Sequence, residues 1–308
     1  MTDKIPVVVV AGPTASGKTS LAIVIAKHFD GEIVSADSMQ IYKYMDIGTA
    51  KPTSAERAEC VHHLIDFIEP DYDYSVAEYV EDAHEVIADI HRRGKLPVIC
   101  GGTGLYINSL INDIAFGEPD CDQALRDELR ELAEEKGGEY LIDMLREFDS
   151  VSADRLHPNN LKRVIRAIEF YKLSGKPISE HQEETKRTES RYRPIMFLID
   201  RDRAELYDRI NRRVDMMIED GLLAEVKRLM DMGYTKSLNS MKGIGYKEIM
   251  DYYNGEYSLD EAIEAVKQGS RRYAKRQLTW FRRDERIIML KPETASETAI
   301  EMIKKSLS

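Results

Sequence analysis

The chain has 308 residues, of which 43% are hydrophobic, and a formal net charge of −11. This length allows one large domain or two modest ones, and no apolar run approaches the roughly 20 residues of a membrane span. The acidic balance argues against general binding of nucleic acid. The N-terminus lacks the apolar region of a signal peptide, and Cys60, Cys100 and Cys121 are too far apart to suggest a metal site. We therefore expect a cytoplasmic protein without a membrane anchor.

The first predicted element leads into a glycine-rich motif. Residues 7–10 are four valines, which predict a buried parallel strand, and residues 20–29 have helical spacing. Between them, GPTASGKT at 12–19 fits the phosphate-loop pattern at every position. Backbone N–H groups and a helix N-terminus can hold an anion there; Lys18 adds a charge, and Thr19 is a candidate Mg²⁺ ligand. The motif predicts binding of a diphosphate or triphosphate but does not show its transfer.

The next segment carries a carboxylate that can act on a substrate. Residues 32–36 predict a strand, and Asp37 follows it. Ligands of parallel sheets bind beyond the carboxyl ends of the strands, so Asp37 is expected near the phosphate loop, where it can accept a proton. A loop aspartate that caps a turn is the alternative. The adjacent His62 and His63 would point to opposite sides of an extended chain, so we interpret them as structural or as hydrogen-bonding groups at the sheet edge.

A further helix and strand follow. Ser75 and Glu78 form a capping box that starts a helix running to about Arg93. Residues 96–100 predict another buried strand, which ends in Gly101-Gly102-Thr103. A kinase of this fold often carries an acidic magnesium ligand at this point. The glycines instead allow the backbone to approach a ligand closely.

Near residue 114 the alternation of apolar strands and helices gives way to charged helices. Charged helices are predicted over 122–136, 139–148 and 160–173, whereas residues 176–190 are weakly periodic and predict a flexible return. We therefore expect an α/β core over 1–113 and 191–308, interrupted by a helical insertion over 114–190.

The predicted sheet resumes with a strand at 194–199 and a helix at 204–219. This helix carries Arg209, Arg212 and Arg213; we expect one of them to neutralise a phosphate group and the other two to be exposed. A basic glycine turn at 241–247 that precedes another helix, a helix at 258–277, a strand at 286–290 and a helix at 293–308 complete the predicted elements.

Basic residues are clustered despite the acidic total. The clusters are Lys162, Arg163 and Arg166; Lys186, Arg187, Arg191 and Arg193; and a stretch from Arg271 to Arg286 that contains seven basic residues and the only Trp. Such clusters can guide a polyanion to one face of an acidic protein. Solvated helix faces with salt bridges are the alternative.

Taken together, these motifs resemble those of the bacterial tRNA dimethylallyltransferases, the IPP transferase family, nearly from end to end. The matching strings are GPTASGKT at 12–19, DSMQIY at 37–42, DIGTAKP at 46–52, HHLID at 62–66, GGTGLY at 101–106, HPNNLKRVIRAIE at 157–169, RINRRVDMM at 209–217, GIGYKE at 243–248 and RQLTWFRR at 276–283.

The resemblance implies a fold and a reaction. The fold is a parallel-sheet core like that of P-loop NTPases, with an all-helical insertion that grips the anticodon stem of tRNA. The reaction moves the dimethylallyl group from dimethylallyl diphosphate to N6 of adenosine 37 in tRNAs that read codons beginning with U. Its products are N6-(dimethylallyl)adenosine and diphosphate. The resemblance also implies Mg²⁺ as cofactor, a loop that holds diphosphate rather than ATP, and a monomer.

The resemblance also implies roles for individual residues. Asp37 corresponds to the general base, and Lys18, Thr19 and Arg213 complete the catalytic set, with Thr19 as the metal ligand. The diphosphate-binding positions are Gly12, Pro13, Thr14, Ala15, Ser16, Gly17, Lys18 and Thr19. The tRNA-binding positions are Asp37, Ser38, Met39, Gln40, Thr103, Arg126, Lys162, Arg163, Val164, Ile165, Arg166, Lys242, Gly245, Tyr246 and Lys247.

Three other functions stay open at this point. A small-molecule P-loop kinase would need an acidic metal ligand where Gly101 and Gly102 stand. A prenyltransferase acting on free AMP would not need an insertion of about 75 residues. A nucleotide-gated RNA-binding module would bind RNA but form no product.

Overall fold

A computed structural model describes residues 4–114, 122–186 and 189–307. The chain divides into two compact units. The core unit comprises Met1–Ile111 and Arg191–Ser308, and the helical unit comprises Asn112–Ser190. Cys121 and Arg187, which the sequence analysis singles out, lie outside the described residues.

The core unit contains a six-stranded parallel sheet, which confirms the predicted α/β class. The strands of the described residues are β1 Ile5–Ala11, β2 Gly31–Ser35, β3 His62–His63, β4 Leu96–Gly101, β5 Tyr192–Ile199 and β6 Ile287–Leu290. Their spatial order is β3-β2-β4-β1-β5-β6. Because β1 pairs with both β4 and β5, the glycine motif leaves the sheet from its interior.

The helices of the described residues are, in chain order, α1 Lys18–His28, α2 Ser54–Glu59, α3 Val76–Arg92, α4 Gly104–Ile111, α5 Gln123–Lys136, α6 Gly138–Arg146, α7 Ser150–Arg155, α8 Leu161–Ser174, α9 Ile178–Lys186, α10 Arg203–Glu219, α11 Leu222–Asp231, α12 Tyr246–Tyr253, α13 Leu259–Phe281 and α14 Ala295–Leu307. The helices α2, α4, α7, α9 and α11 were not predicted. None of these helices combines the length and apolarity needed to cross a membrane.

Alternating side chains of β1 face two apolar layers. Val7 and Val9 pack with residues of α3 and α4 on one face of the sheet, whereas Val8 and Val10 pack with α1 and α14 on the other. All four valines are fully buried. Burial on both faces is what the uninterrupted apolar run predicts for an interior parallel strand.

A third cluster of the core unit lies outside the sheet layers. Ile41 and Met45, in the segment after β2, pack against Leu222 and Val226 of α11 and against Ile249 of α12. This cluster joins the loop that follows β2 to helices about 180 residues later in the chain.

The helical unit has its own core, which includes Leu129, Leu141 and Val164. The predicted flexible return after residue 176 is wrong, because α9 occupies most of it. Asp149 explains the difference: its carboxylate accepts the Ser179 backbone N–H at 3.1 Å and the Ser179 hydroxyl at 2.6 Å. A helix whose first turn is bonded by a residue 30 positions earlier shows no local starting signal.

The pair of histidines fits its predicted structural role. β3, which His62 and His63 form, lies at one edge of the sheet. His63 Nε2 lies 2.7 Å from Oε2 of the buried Glu32, and Arg93 and Lys95 pair with the same carboxylate. The hydrogen bond from Arg93 is the main cause that lowers the pKa of Glu32.

Candidate active site

The glycine motif forms an anion-binding loop between β1 and α1. Gly17 has φ 97°, a conformation that glycine adopts readily, and it is the N-cap of α1. Ala15 has φ 61°, which is uncommon for a residue with a Cβ. The Ser16 side chain is 1% exposed, and among the described residues its hydroxyl has no hydrogen-bond partner. A buried hydroxyl without a partner is expected where a ligand completes the bonding.

Lys18 lies within this loop. Its Nζ donates to the Pro13 carbonyl at 3.3 Å. Burial lowers the pKa of Lys18, and the carboxylate of Asp37 partly opposes that shift. A desolvated ammonium group beside a weak carbonyl contact is well placed to bind an incoming anion.

Three arginines hold the outer side of the loop. Arg213 Nη1 donates to the Thr14 hydroxyl at 3.1 Å, and Arg209 Nε donates to the Ala15 carbonyl at 2.9 Å. Arg201 Nε donates to the Ser16 carbonyl at 2.8 Å. Arg212 instead pairs with Asp208, and 74% of its side chain is exposed.

This arrangement agrees with the prediction for α10, in which one arginine lies at the loop and the other two are exposed, and it adds one contact. Arg213 lies at the loop, where the sequence places a phosphate-neutralising arginine, but Arg209 reaches the loop as well. Arg201 was not among the predicted site residues. The available signal was its position two residues after β5, at the same edge of the sheet as the loop.

A cavity of about 860 Å³ opens beside the loop. One part of its lining is basic and includes Lys18, Arg209 and Arg213. Another part is apolar and includes Ile47 and Met217. A ligand with a charged diphosphate and a short hydrocarbon chain matches both parts of this lining.

Asp37 lies at the carboxyl end of β2, on the loop side of the sheet. Its Oδ1 accepts the Met39 backbone N–H at 3.0 Å, as a turn-capping aspartate does. Asp37 also lines a small void of about 20 Å³ together with Lys18 and Thr19, which line the large cavity too. The structure therefore brings together three of the four predicted catalytic residues around one void, and Arg213 lines the adjoining cavity.

The segments after β2 and β4 contact each other beside Asp37. Thr103 Oγ1 accepts the Ser38 N–H at 3.0 Å, and the Thr103 N–H donates to the Ala36 carbonyl at 3.1 Å. A Cβ on Gly101 would lie 2.1 Å from the Ala36 carbonyl oxygen, so this contact requires glycine.

Helix α13 supplies two further groups that the sequence analysis did not single out. Gln277 Nε2 donates to the Gly102 carbonyl at 2.8 Å, and the side chain is 6% exposed. Burial raises the pKa of Tyr273 to about 12, and negative charge on Asp37 contributes. The signal that could have found Gln277 is its place in the string RQLTWFRR.

A loop over 46–50 forms another wall of the large cavity, to which Asp46, Ile47 and Ala50 contribute. Gln40 Nε2 donates to the carbonyls of Thr49 at 3.2 Å and Ala50 at 3.0 Å. The sequence analysis did not identify the buried Glu225 of α11, which accepts three backbone N–H groups of this loop. No motif of the sequence contains Glu225, so no local signal was available.

The predicted tRNA-binding residues differ in exposure. Lys162, Arg163 and Lys242 are exposed, whereas Val164, Ile165 and Tyr246 are buried at 0%, 5% and 1%. Side chains without surface cannot contact RNA directly. These three side chains therefore pack inside the protein, and tRNA binding at all of these positions stays a prediction.

Several basic residues, some of them in the predicted clusters, pair with acidic partners. Arg126 and Arg166 both pair with Glu169, which is 0% exposed, at 2.8 Å and 2.7 Å. In the cluster from Arg271 to Arg286, Arg271 pairs with Glu264 and Arg286 pairs with Asp284. Solvated helix faces with salt bridges therefore account for part of this charge.

Comparison with known proteins identifies relatives over nearly the whole chain. Family models described as IPP transferase and as Isopentenyl transferase match residues 40–284 and 5–66. A tRNA dimethylallyltransferase of Acetivibrio thermocellus is 53% identical over 304 residues, covering 98% of this chain and 97% of the relative. One of a Thermoanaerobacter species is 52% identical over 280 residues, covering 90% and 89%.

Solved structures agree with these matches. The tRNA isopentenylpyrophosphate transferase of Bacillus halodurans superposes with a TM-score of 0.71 at 42% identity, covering 98% of both chains. A eukaryotic dimethylallyltransferase acting on tRNA superposes with a TM-score of 0.81 at 31% identity, covering 94% of this chain and 74% of that one.

Proposed function

We infer the reaction from one premise: this chain belongs to the IPP transferase family and is an enzyme that transfers a dimethylallyl group to tRNA. We propose that the donor is dimethylallyl diphosphate and the acceptor is N6 of adenosine 37, in tRNAs that read codons beginning with U. The products are N6-(dimethylallyl)adenosine and diphosphate. The observation that carries this proposal is that Asp37 lies beside Lys18 and Thr19, which also line the large cavity, so a proton acceptor adjoins the proposed diphosphate site.

In the proposed chemistry, the bond between C1 of the dimethylallyl group and the diphosphate oxygen breaks, and its electron pair leaves with the diphosphate. Loop N–H groups, Lys18 and Arg213 stabilise the developing negative charge. This stabilisation matters more in a desolvated site than in water.

The acceptor amine needs help, because its lone pair is delocalised into the adenine ring. As the new bond between C1 and N6 forms, the amine loses a proton to the Asp37 carboxylate. Asp37 uses Oδ1 to accept the Met39 N–H, which fixes the direction of the carboxyl group. The adenine must leave its stack to reach this position, so we propose that the nucleotide is flipped out.

We propose Mg²⁺ as cofactor, with the Thr19 hydroxyl as its protein ligand. Mg²⁺ keeps several waters and is usually held by one or two protein oxygens plus substrate phosphates. The described residues contain no group of three or more His, Cys, Asp or Glu side chains placed to share a metal ion. One hydroxyl at the start of α1, beside a site for diphosphate oxygens, fits this mode of binding. When bound, the ion would add positive charge against the leaving diphosphate.

We propose that the helical unit binds the anticodon stem through its exposed Lys162 and Arg163. We also propose a monomer in the cytoplasm. The predicted catalytic residues all belong to one chain, and the described cysteines Cys60 and Cys100 are free thiols.

The test is a transfer assay with Mg²⁺, radiolabelled dimethylallyl diphosphate and unmodified tRNA that has adenosine at 36 and 37, with AMP and ATP in parallel reactions. We expect label on tRNA with the wild-type protein and a loss of at least about 100-fold with Asp37→Ala. Label on AMP alone, or consumption of ATP without label transfer, would replace the proposal with one of the two rival enzymes. RNA binding without any product would indicate the non-enzymatic module.

A further inference from the structure

The small void beside Asp37 is lined by side chains of three neighbouring strands. His62 of β3 pairs with Ile33 of β2, and Ser35 of β2 pairs with Cys100 of β4. All four residues line the void, and Ile33 and Cys100 also belong to the apolar layer that α1 covers. The volume of about 20 Å³ exceeds the roughly 10–15 Å³ that one water molecule needs, so the void can hold a single water but not a diphosphate.

His62 has one ring nitrogen left to serve this void. Its Nδ1 lies 2.9 Å from the Cys60 carbonyl oxygen, which can only accept, so Nδ1 carries the hydrogen and donates it. Burial lowers the pKa of His62, which favours the neutral ring, in which Nε2 is an acceptor. Nε2 is buried and has no hydrogen-bond partner within the described part of the chain. A buried acceptor beside a void of this size points to a bound water that donates to it.

Two charged groups of the lining can complete the hydrogen bonds of such a water. The Lys18 ammonium group donates to the Pro13 carbonyl at 3.3 Å and has two further hydrogens. Asp37 accepts the Met39 N–H with Oδ1, which leaves Oδ2 as an acceptor for a donor in the void. Together with His62 Nε2, these groups supply one donor and two acceptors, and a buried water typically makes about three hydrogen bonds.

Two other polar side chains of the lining are less suited to bind a water. The Ser35 hydroxyl is directed to Gln40 Oε1, at 3.5 Å. Burial raises the pKa of Cys100 to about 11, so this group stays a thiol, which is a weak donor and a weak acceptor. Lys18, Asp37 and His62 are therefore the main partners for a water in the void.

We propose that one water molecule binds in this void, where it donates to His62 Nε2 and Asp37 Oδ2 and accepts from Lys18 Nζ. His62 is then a positioning residue for the transfer reaction, a role that rests on the proposed function of Asp37 as the base. Because Nε2 only accepts, it takes one hydrogen of the water and directs the other to Oδ2. Since the Met39 N–H holds Oδ1, the carboxylate is fixed at both oxygens and faces the adenine amine in one orientation.

The kinetic test compares His62→Leu with His62→Gln in the transfer assay with tRNA. Leucine has a similar size but cannot accept a hydrogen bond. We expect it to lower kcat by about 10-fold to 100-fold, as a misplaced base does, while KM for dimethylallyl diphosphate changes by less than about twofold. The glutamine amide oxygen can take the position of Nε2, so we expect His62→Gln to keep kcat within about threefold of the wild type.

His63→Leu is the matched control. His63 is the other residue of β3, and its Nε2 lies 2.7 Å from Glu32 Oε2 instead of lining the void. We expect this variant to be less stable, because Glu32 loses a partner, but to keep kcat within about twofold of the wild type. A fall in kcat equal to that of His62→Leu would mean that any disturbance of β3 slows the reaction, and it would overturn the proposal.

A crystal structure of the whole protein tests the water directly. We expect a water within about 3.2 Å of His62 Nε2 in the wild type, and none in the void of His62→Leu. A wild-type void without water, an unchanged kcat in His62→Leu, or equal losses of kcat in His62→Leu and His62→Gln would each contradict the proposal. Absence of label transfer to tRNA by the wild type is a separate result, which refutes the proposed function, whereas the crystal structure still tests the water.

Discussion

The phosphate loop at 12–17 and the loop at 46–50 line the same cavity but obtain their shapes in different ways. The conformation of the phosphate loop is determined by its own residues, because Gly17 adopts the left-handed conformation in which α1 begins. The 46–50 loop depends on Glu225, 179 positions beyond Asp46. A motif search finds the first kind of loop and misses the second, although both shape the site.

The strongest test of this comparison is Glu225→Ala. It would leave the buried Tyr246 hydroxyl and three partly buried backbone N–H groups without their acceptor. We expect a loss of about 3–5 kcal/mol in the free energy of unfolding, since breaking a buried charged network is among the most costly substitutions. Urea unfolding followed by circular dichroism measures it. Glu264→Ala, which removes an exposed carboxylate, is the control. An equal loss in both variants would mean that the bonds of Glu225 to the 46–50 loop do not stabilise the protein beyond any surface carboxylate.

Lys18→Met is the corresponding test for the phosphate loop, in which both the reaction rate and the free energy of unfolding are measured. Here we expect kcat/KM for transfer to fall by about 100-fold to 1,000-fold, because a buried charge that stabilises the leaving group is lost. The free energy of unfolding should change little, since Lys18 makes one weak carbonyl contact at 3.3 Å. Lys27→Met changes an exposed lysine of the same helix and should leave the rate unaltered. A Lys18 variant that unfolds more easily but reacts normally would reverse the comparison.

Arginines of α10 show whether the phosphate loop also needs remote support. Arg209→Gln removes a charged donor from the Ala15 carbonyl. Such a bond contributes about 1.5 kcal/mol, so we expect KM for dimethylallyl diphosphate to rise about tenfold at unchanged kcat. Arg203→Gln changes an exposed arginine of the same helix, which lies over the Tyr207 ring, and should change KM by less than about twofold. Equal effects of the two variants would indicate that general positive charge, rather than the bond to the loop, is what matters.

The smallest effect is expected at Asp149, which organises the start of α9 from a distance. Burial alone would raise the pKa of Asp149, but the hydrogen bonds from Ser179 and Ser152 outweigh it and lower the pKa. A carboxyl group whose pKa is lower in the folded state stabilises the protein above its unfolded pKa of about 4, and this contribution is lost as the pH falls through the folded value.

Asp149→Asn keeps one acceptor but removes the charge. We expect it to lower the free energy of unfolding by about 1 kcal/mol at pH 7 and by progressively less below pH 4. Thermal unfolding at a series of pH values measures this, with the exposed Asp154→Asn as control. A difference between wild type and Asp149→Asn that grows as the pH falls would have the wrong sign.

Most of the fold follows from local sequence signals. The valine run predicts β1, the capping box at Ser75 predicts α3, and the parallel sheet follows from the alternation of strands and helices. The errors occur where structure comes from outside the segment. The bonds at the start of α9 come from Asp149, and β3 has only two residues, His62 and His63, too few for a periodic pattern.

The site shows the same division. Lys18, Thr19 and Asp37 were predictable because each lies in or directly beyond a strand-ending motif. Glu225 was not, because a glutamate on an amphipathic helix looks like a solvated residue until the loop that it binds is known. The burial of Tyr246 was not predictable for a related reason: its place in a matching string does not reveal it.

The contact between Gly48 and the Tyr246 ring also constrains how such a chain can evolve. A side chain at position 48 would occupy the space of the ring, so the glycine can change only if the tyrosine shrinks. A smaller residue at 246 would in turn deprive the Glu225 carboxylate of a donor. Each single step from this arrangement is unfavourable, and the three positions are therefore expected to be inherited as a set and replaced together.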